Sequence, residues 1–212
     1  KIEEGRIEDI RECIGCNICV SGDFLVHPLR CTQNPTMGEE WRKGWHPERI
    51  APKAADESVL IVGAGPAGLE AARALGQRGY DVTLAEAKET LGGRVDIESR
   101  LPGLSQWRRV ADYRIYQISQ MANVSVFHNS PLNAEQVLEF EADHVVLATG
   151  SDWDVTGIGR SNRRAIPGHT SGHIMSVDAI CAGKVPSGPV VIFDDDYYHM
   201  AGLLAEKLSL DG

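Results

Sequence analysis

The stretch "VLIVGAGPAGLEAARAL", Val59 to Leu75, decides how this chain folds. A short apolar run with branched side chains reads as a buried strand, and the alanine- and leucine-rich run after it reads as a helix. Between them Gly63, Gly65 and Gly68 stand at GxGxxG spacing. Gly63 makes the turn, Gly65 lets backbone approach a pyrophosphate, and Gly68 allows close packing of helix on strand. Pro66 and Ala67 form the first turn of the helix, whose N-terminal N–H groups attract phosphate, and count among the nucleotide contacts.

Downstream, Gly79 ends the helix and "DVTLAEA" supplies the next strand, the βαβ alternation of a parallel sheet. Glu86 ends that strand, where a carboxylate accepts hydrogen bonds from both ribose hydroxyls and repels a 2′-phosphate; Ala87 follows it along the same rim. "LGGR" (Leu91 to Arg94) places Gly93 and Arg94 beside the nucleotide, and "LATG" (Leu147 to Gly150) places Thr149 and Gly150 there. The plainer reading of these glycines is an ordinary turn. "MANVSVFHN" is a further strand, "NAEQVLEF" a short helix, and "ADHVVLATG" a strand expected to be buried on both faces. "WRRVADYR" (Trp107 to Arg114) is a basic, aromatic-bearing helix, either a docking face or a solvated one. "SVDAICAG" is a short helix in which Cys181 is a small buried hydrophobe rather than a ligand.

Upstream, residues 1–57 show little periodic apolar pattern and need something other than a core to hold them. Cys13, Cys16 and Cys19 lie in "CIGCNIC", with Cys31 beyond the loop "SGDFLVHPLR". Successive steps of three let three thiolates converge on neighbouring corners of a 4Fe-4S cluster, with Cys31 as the remote fourth ligand; Gly15 and Asn17 suit the tight backbone. Tetrahedral zinc is the competing reading, because four thiolates satisfy it too. His27 and His46 read as hydrogen-bonded structural residues, and Trp41 and Trp45 as packing over the cluster loop.

At the other end, "VVIFDDDYYHMAG" (Val190 to Gly202) begins as a strand running into a nucleotide-binding turn, but Asp194, Asp195 and Asp196 occupy the place of glycines. At an effective dielectric near 20, two charges about 5 Å apart repel by roughly 3 kcal/mol, so this second unit is expected to reject NADPH. A plainer reading has the aspartates capping the following helix.

The 212 residues carry a formal net charge of -9, which gives no footprint for nucleic acid or an anionic membrane. No apolar run approaches the roughly 20 residues needed to span a bilayer, and the N-terminal residues lack the apolar core of a signal peptide, so the cytoplasm is the expected compartment. A cysteine cluster in a reducing compartment points to metal rather than disulfides. The expected organisation is α/β: an iron-sulfur-binding loop segment over residues 1–57, a doubly wound, Rossmann-like ADP/FAD-binding domain over 58–160, and the start of a degenerate NAD(P)-binding-like domain over 161–212. Both ends read as cut, making the chain a fragment of a longer polypeptide.

Taken together, "CIGCNIC", "CTQNPTMGEEWRKGWHPE", the glycine motif, "LGGR", "LPGLSQW" and "LATGS" resemble the C-terminal half of the trimethylamine, dimethylamine and histamine dehydrogenase family over essentially the whole chain. The resemblance implies an N-terminal β/α barrel with FMN, a 4Fe-4S cluster on Cys13, Cys16, Cys19 and Cys31, and ADP held by Gly63, Gly65 and Glu86. It implies a homodimeric full-length amine dehydrogenase passing electrons singly to an electron-transferring flavoprotein. The related 2,4-dienoyl-CoA reductase carries FAD in place of ADP and an NADPH site. That supplies the rival reading of an enoate reductase portion, beside a non-catalytic nucleotide-binding module.

Overall fold

The computed structural model describes every residue except Leu25, Val26, Glu40 and residues 45–49, so Trp45 and His46 lie outside the described residues. The chain forms two compact units, Lys1–Asp96 with Gln106–Gly150 and Ile97–Ser105 with Ser151–Gly212.

In the first unit, helix α1 (Ile18–Phe24) belongs to the cysteine segment. The glycine-rich stretch then opens a run of strands and helices: β1 (Ser58–Val62), α2 (Pro66–Arg78), β2 (Asp81–Ala85), α3 (Arg94–Glu98), α4 (Arg109–Ser119), β3 (Val124–Phe127), α5 (Ala134–Glu139) and β4 (His144–Leu147). All strand pairings are parallel, in the order β3-β2-β1-β4. The chain therefore turns back at β1, and it is at such a reversal that a doubly wound sheet opens a crevice for a ligand.

Local chemistry accounts for the elements. Pro66 suits the first turn of α2, and Gly79 ends it in the left-handed conformation at φ 92°. Asn133 and Gln136 close a reciprocal capping box on α5. Asp143, just before β4, accepts from the Ser58 N–H at 2.7 Å and its hydroxyl at 2.8 Å, pinning the starts of two neighbouring strands. Leu60, Ile61, Leu69, Val82 and Leu84 are the largest fully enclosed side chains, so the core lies between α2 and the two central strands.

Two expectations are corrected. β4 is not buried on both faces: it is an edge of the described sheet, and Leu147 is 72% exposed. In the second unit, α6 (Val177–Cys181) and α7 (Met200–Asp211) form, but residues 190–193 are not a strand and Val191 is 92% exposed. Apolar β-branched sequence makes a strand only when a neighbour takes up its backbone groups, and among the described residues no strand of this unit pairs with it.

Candidate functional site

The glycine loop separates demands made by the protein from demands made by a ligand. Gly63 has φ 99°, and a Cβ there would lie 2.4 Å from the Ala148 carbonyl oxygen. A Cβ on Gly68 would lie 1.8 Å from the Gly63 carbonyl oxygen. Both glycines are therefore required by the fold. Gly65 is different: its φ of -70° is open to any residue, and a Cβ would meet nothing within 4 Å. It is also the N-cap of α2, where Ser, Asp or Asn would stabilise the helix better than Gly. What a glycine offers here is bare backbone facing outward, which is what a pyrophosphate needs.

Glu86 is 7% exposed and closes the loop from beneath. One carboxylate oxygen accepts the Ala64 N–H at 2.7 Å and the other accepts the Lys88 N–H at 2.9 Å. A carboxylate has about four lone-pair sites, so two remain for ribose hydroxyls. Gly92 donates its N–H to the Ala64 carbonyl at 2.9 Å, which brings Gly93 so near that a Cβ would sit 3.0 Å from the Gly65 Cα. Arg94 is partly buried at the start of α3; Ala67, Ala87, Thr149 and Gly150 are exposed around the loop. The sheet thus gathers the residues expected at a nucleotide site around one opening.

The four cysteines of the N-terminal segment are free thiols, Cys13 exposed and Cys16, Cys19 and Cys31 partly so. Gly15 and Asn17 take positive φ, 69° and 57°, so the chain turns tightly between the thiols. Backbone donors already point at sulfur: the Gly15 N–H reaches the Cys13 Sγ at 3.4 Å, and the Gln33 N–H reaches the Cys31 Sγ at 3.3 Å. The Thr32 hydroxyl lies 3.3 Å from the Cys16 Sγ, so the loop of the remote cysteine meets the clustered ones. Such donors around sulfur suit thiolate ligands. Among the described residues no three His, Cys, Asp or Glu side chains converge as they would around a single ion.

The helix read as a docking or solvated face also anchors neighbouring loops of the first unit. α4 and its N-cap Arg108 hold both the LGGR loop and the cysteine segment. Arg108 donates to the Leu91 carbonyl at 3.2 Å and pairs with Asp96 and Asp112. Arg109 donates to the Cys13 carbonyl at 3.1 Å and pairs with Glu12. Arg11 stacks over Tyr113 at 4.9 Å, and Gln117 donates to Asp9 at 2.8 Å. Arg114, 6% exposed, donates to Glu70 on α2 at 2.7 Å and to the Gln33 side-chain oxygen at 3.4 Å.

Sequence reading had missed Thr32, Gln33, Arg109 and Arg114 as site residues. One signal was available: Val110, Ala111, Arg114 and Ile118 form the buried stripe of α4, and an arginine on an apolar stripe implies a buried partner. Trp41 does not pack over the cysteine loop; it is 75% exposed, and its indole N–H bonds the Gly38 carbonyl.

In the second unit the aspartates do not cap α7, whose N-cap His199 makes no side-chain cap. Asp194 accepts from the N–H groups of Asp196 and Tyr197, both at 3.0 Å, and so holds a turn in which Tyr197 has φ 57°. The Asp195 carboxylate instead enters the arginine-rich loop before α6, accepting the Ser161 N–H at 2.9 Å. It fits so closely that a Cβ on Gly159 would lie 2.2 Å from it. The Ser161 backbone bond is the main reason its pKa lies below the usual carboxylate range.

Comparison with known proteins agrees with this geometry. Residues 57–192 match the family described as pyridine nucleotide-disulphide oxidoreductase. The chain is 42% identical to dimethylamine dehydrogenase of Hyphomicrobium sp. (strain x), over 100% of its own length and 30% of that protein's. It matches the structure of histamine dehydrogenase from Rhizobium sp. 4-9 at 56% identity and a TM-score of 0.92, covering 100% of this chain and 31% of that one. A 6-hydroxypseudooxynicotine amine oxidase from Pseudomonas geniculata N1 matches at 48% identity and TM-score 0.93, over 100% of this chain and 32% of that one. The chain thus spans about a third of the length of these relatives, and they are oxidoreductases acting on amines by their names. The chain belongs to the pyridine nucleotide-disulphide oxidoreductase family.

Proposed function

We propose that this chain is the electron-transfer portion of an iron-sulfur flavoprotein amine dehydrogenase. In the proposed enzyme FMN on a β/α barrel takes electrons from the amine, and an electron-transferring flavoprotein receives them. The observation that carries the reading is the start of α4: the thiol-rich loop and the LGGR loop beside the glycine motif are held by adjacent arginines, Arg109 and the N-cap Arg108.

Cys13, Cys16, Cys19 and Cys31 would hold the 4Fe-4S cluster, which supplies one-electron chemistry. Gly15, Thr32 and Gln33 direct hydrogen bonds at the sulfurs. Gly65 offers bare backbone to a pyrophosphate, the start of α2 offers its N–H groups, and Glu86 offers its remaining lone pairs to ribose. ADP is the proposed occupant, because the family resemblance is to the ADP-holding branch; FAD is the alternative. Asp195 places a carboxylate in the loop of the second unit, which supports a site closed to nicotinamide dinucleotides.

Metal and nucleotide analysis of the purified full-length enzyme tests the reading. About four iron and four sulfide per chain are expected, with ADP in the supernatant after denaturation. Cys31→Ala should lose iron while keeping nucleotide. Zinc without sulfide would overturn the cluster, and released FAD would overturn ADP.

A further inference from the structure

Gln33 is the most enclosed polar residue among the described residues of the cysteine segment, at 5% exposure, and every polar group it owns is engaged. Its N–H donates to the Cys31 Sγ at 3.3 Å and its carbonyl accepts from Arg11 at 2.7 Å. Its side-chain oxygen accepts from Arg114 at 3.4 Å, and its Nε2 donates to the Thr32 Oγ1 at 3.3 Å. That hydroxyl lies 3.3 Å from the Cys16 Sγ. With Cys16 as a cluster thiolate, which can only accept, and with Thr32 receiving the Gln33 donor, the hydroxyl proton would point at sulfur. The result is a one-way chain: Arg114 to Gln33, Gln33 to Thr32, Thr32 to Cys16; the Gln33 backbone N–H reaches Cys31 separately.

The cationic end is in excess. Arg11, Arg73 and Arg114 gather around Glu70, which bonds Arg73 and Arg114 directly. Among the described residues, three positive charges there act on one negative charge. Each donor in a chain backed by a cation is polarised toward the acceptor at its end, and hydrogen bonds in such a chain strengthen one another. Charge and hydrogen bonds to sulfur are what set the potential of a thiolate-held cluster.

We infer that Gln33 and Thr32 are positioning residues that raise the reduction potential of a cluster on Cys13, Cys16, Cys19 and Cys31 by carrying the charge of buried Arg114 to the Cys16 sulfur. This deepens the function proposed above and rests on the cysteines holding iron. When the cluster accepts one electron the negative charge on its sulfurs grows, and donors already aimed there stabilise the reduced form more than the oxidised one. No proton moves and no bond is exchanged.

The test is an EPR-monitored redox titration of the purified full-length enzyme and its variants, each first assayed for iron and sulfide. Thr32→Val removes only the hydroxyl from an exposed position and should weaken reduction about tenfold, which for one electron is about 59 mV. Thr32→Ser restores the hydroxyl and should restore the potential. Gln33→Glu keeps the shape and gains a charge partner in Arg114, but it turns the Nε2 donor into an acceptor and should lower the potential further. Lowered potentials at full iron content in Thr32→Val and Gln33→Glu, with rescue in Thr32→Ser, support the inference. Unchanged potentials at full iron content overturn it and leave the proposed function standing. Wild-type enzyme without iron and sulfide overturns both.

Discussion

The three glycines of one loop have three different reasons to be glycine, and substitution separates them. Gly68→Ala sets a methyl against the Gly63 carbonyl and should cost about 3 kcal/mol of stability, read as a lowered melting temperature. Gly65→Ala should melt near the wild type, because backbone and space both admit a Cβ, yet bind ADP about tenfold more weakly, or about 1.4 kcal/mol, by calorimetry. Unchanged ADP affinity in Gly65→Ala would remove the best physical reason for a nucleotide at this loop. Glu86→Ala is expected to do two things, since the carboxylate holds the Ala64 N–H as well as facing the ribose. It should lower stability by about 1–3 kcal/mol and weaken ADP together. The GxGxxG spacing was legible in the sequence because it is local. Gln33 was not legible, because its importance comes from Arg114, 81 residues away.

Among the elements, α4 carries the least legible part of the site. Its helical pattern could be read, but its attachments are long arginine arms whose targets are distant in sequence. Its pair with half-buried Glu70 gives a pH signature. Burial alone would raise the Glu70 pKa, but the hydrogen bond from Arg73 and the charges of Arg114, Arg73 and Arg11 outweigh it, so the net shift is downward. A depressed carboxylate contributes stability that is full above its unfolded value, about 4.5, and is lost as pH falls through the lower folded value. Arg114→Met should therefore cost about 2 kcal/mol at neutral pH, between the figures for exposed and buried pairs, and flatten the acid limb of the stability curve below about pH 4.5. Urea unfolding across pH 3–7 measures both; a parallel downward shift with an unchanged acid limb would contradict the assignment. For residues 190–193 the apolar pattern of a strand was legible, but pairing is a tertiary property that no short window contains.

For the molecule as a whole, the two units treat anions in opposite ways. The first presents unfilled backbone at Gly65, while the second places the Asp195 carboxylate on the Ser161 N–H. The full-length enzyme is accordingly expected to bind ADP but not NADPH. Calorimetric titration with NADPH in saturating ADP should give no saturable heat; micromolar binding under those conditions would defeat this prediction. The parallel βαβ alternation was legible in the sequence because it is carried by short local runs, whereas the order β3-β2-β1-β4 came from the structure, since strand neighbours are set by tertiary pairing. Adjacent arginines at the start of α4, the N-cap Arg108 and Arg109, hold the Leu91 and Cys13 carbonyls, and consecutive Cα atoms are fixed about 3.8 Å apart. The helix is therefore a ruler between the two cradles, and neither loop can drift from it without releasing a neighbouring grip. In native-state hydrogen exchange the amides of both loops would share a single opening free energy, as one cooperative unit rather than two.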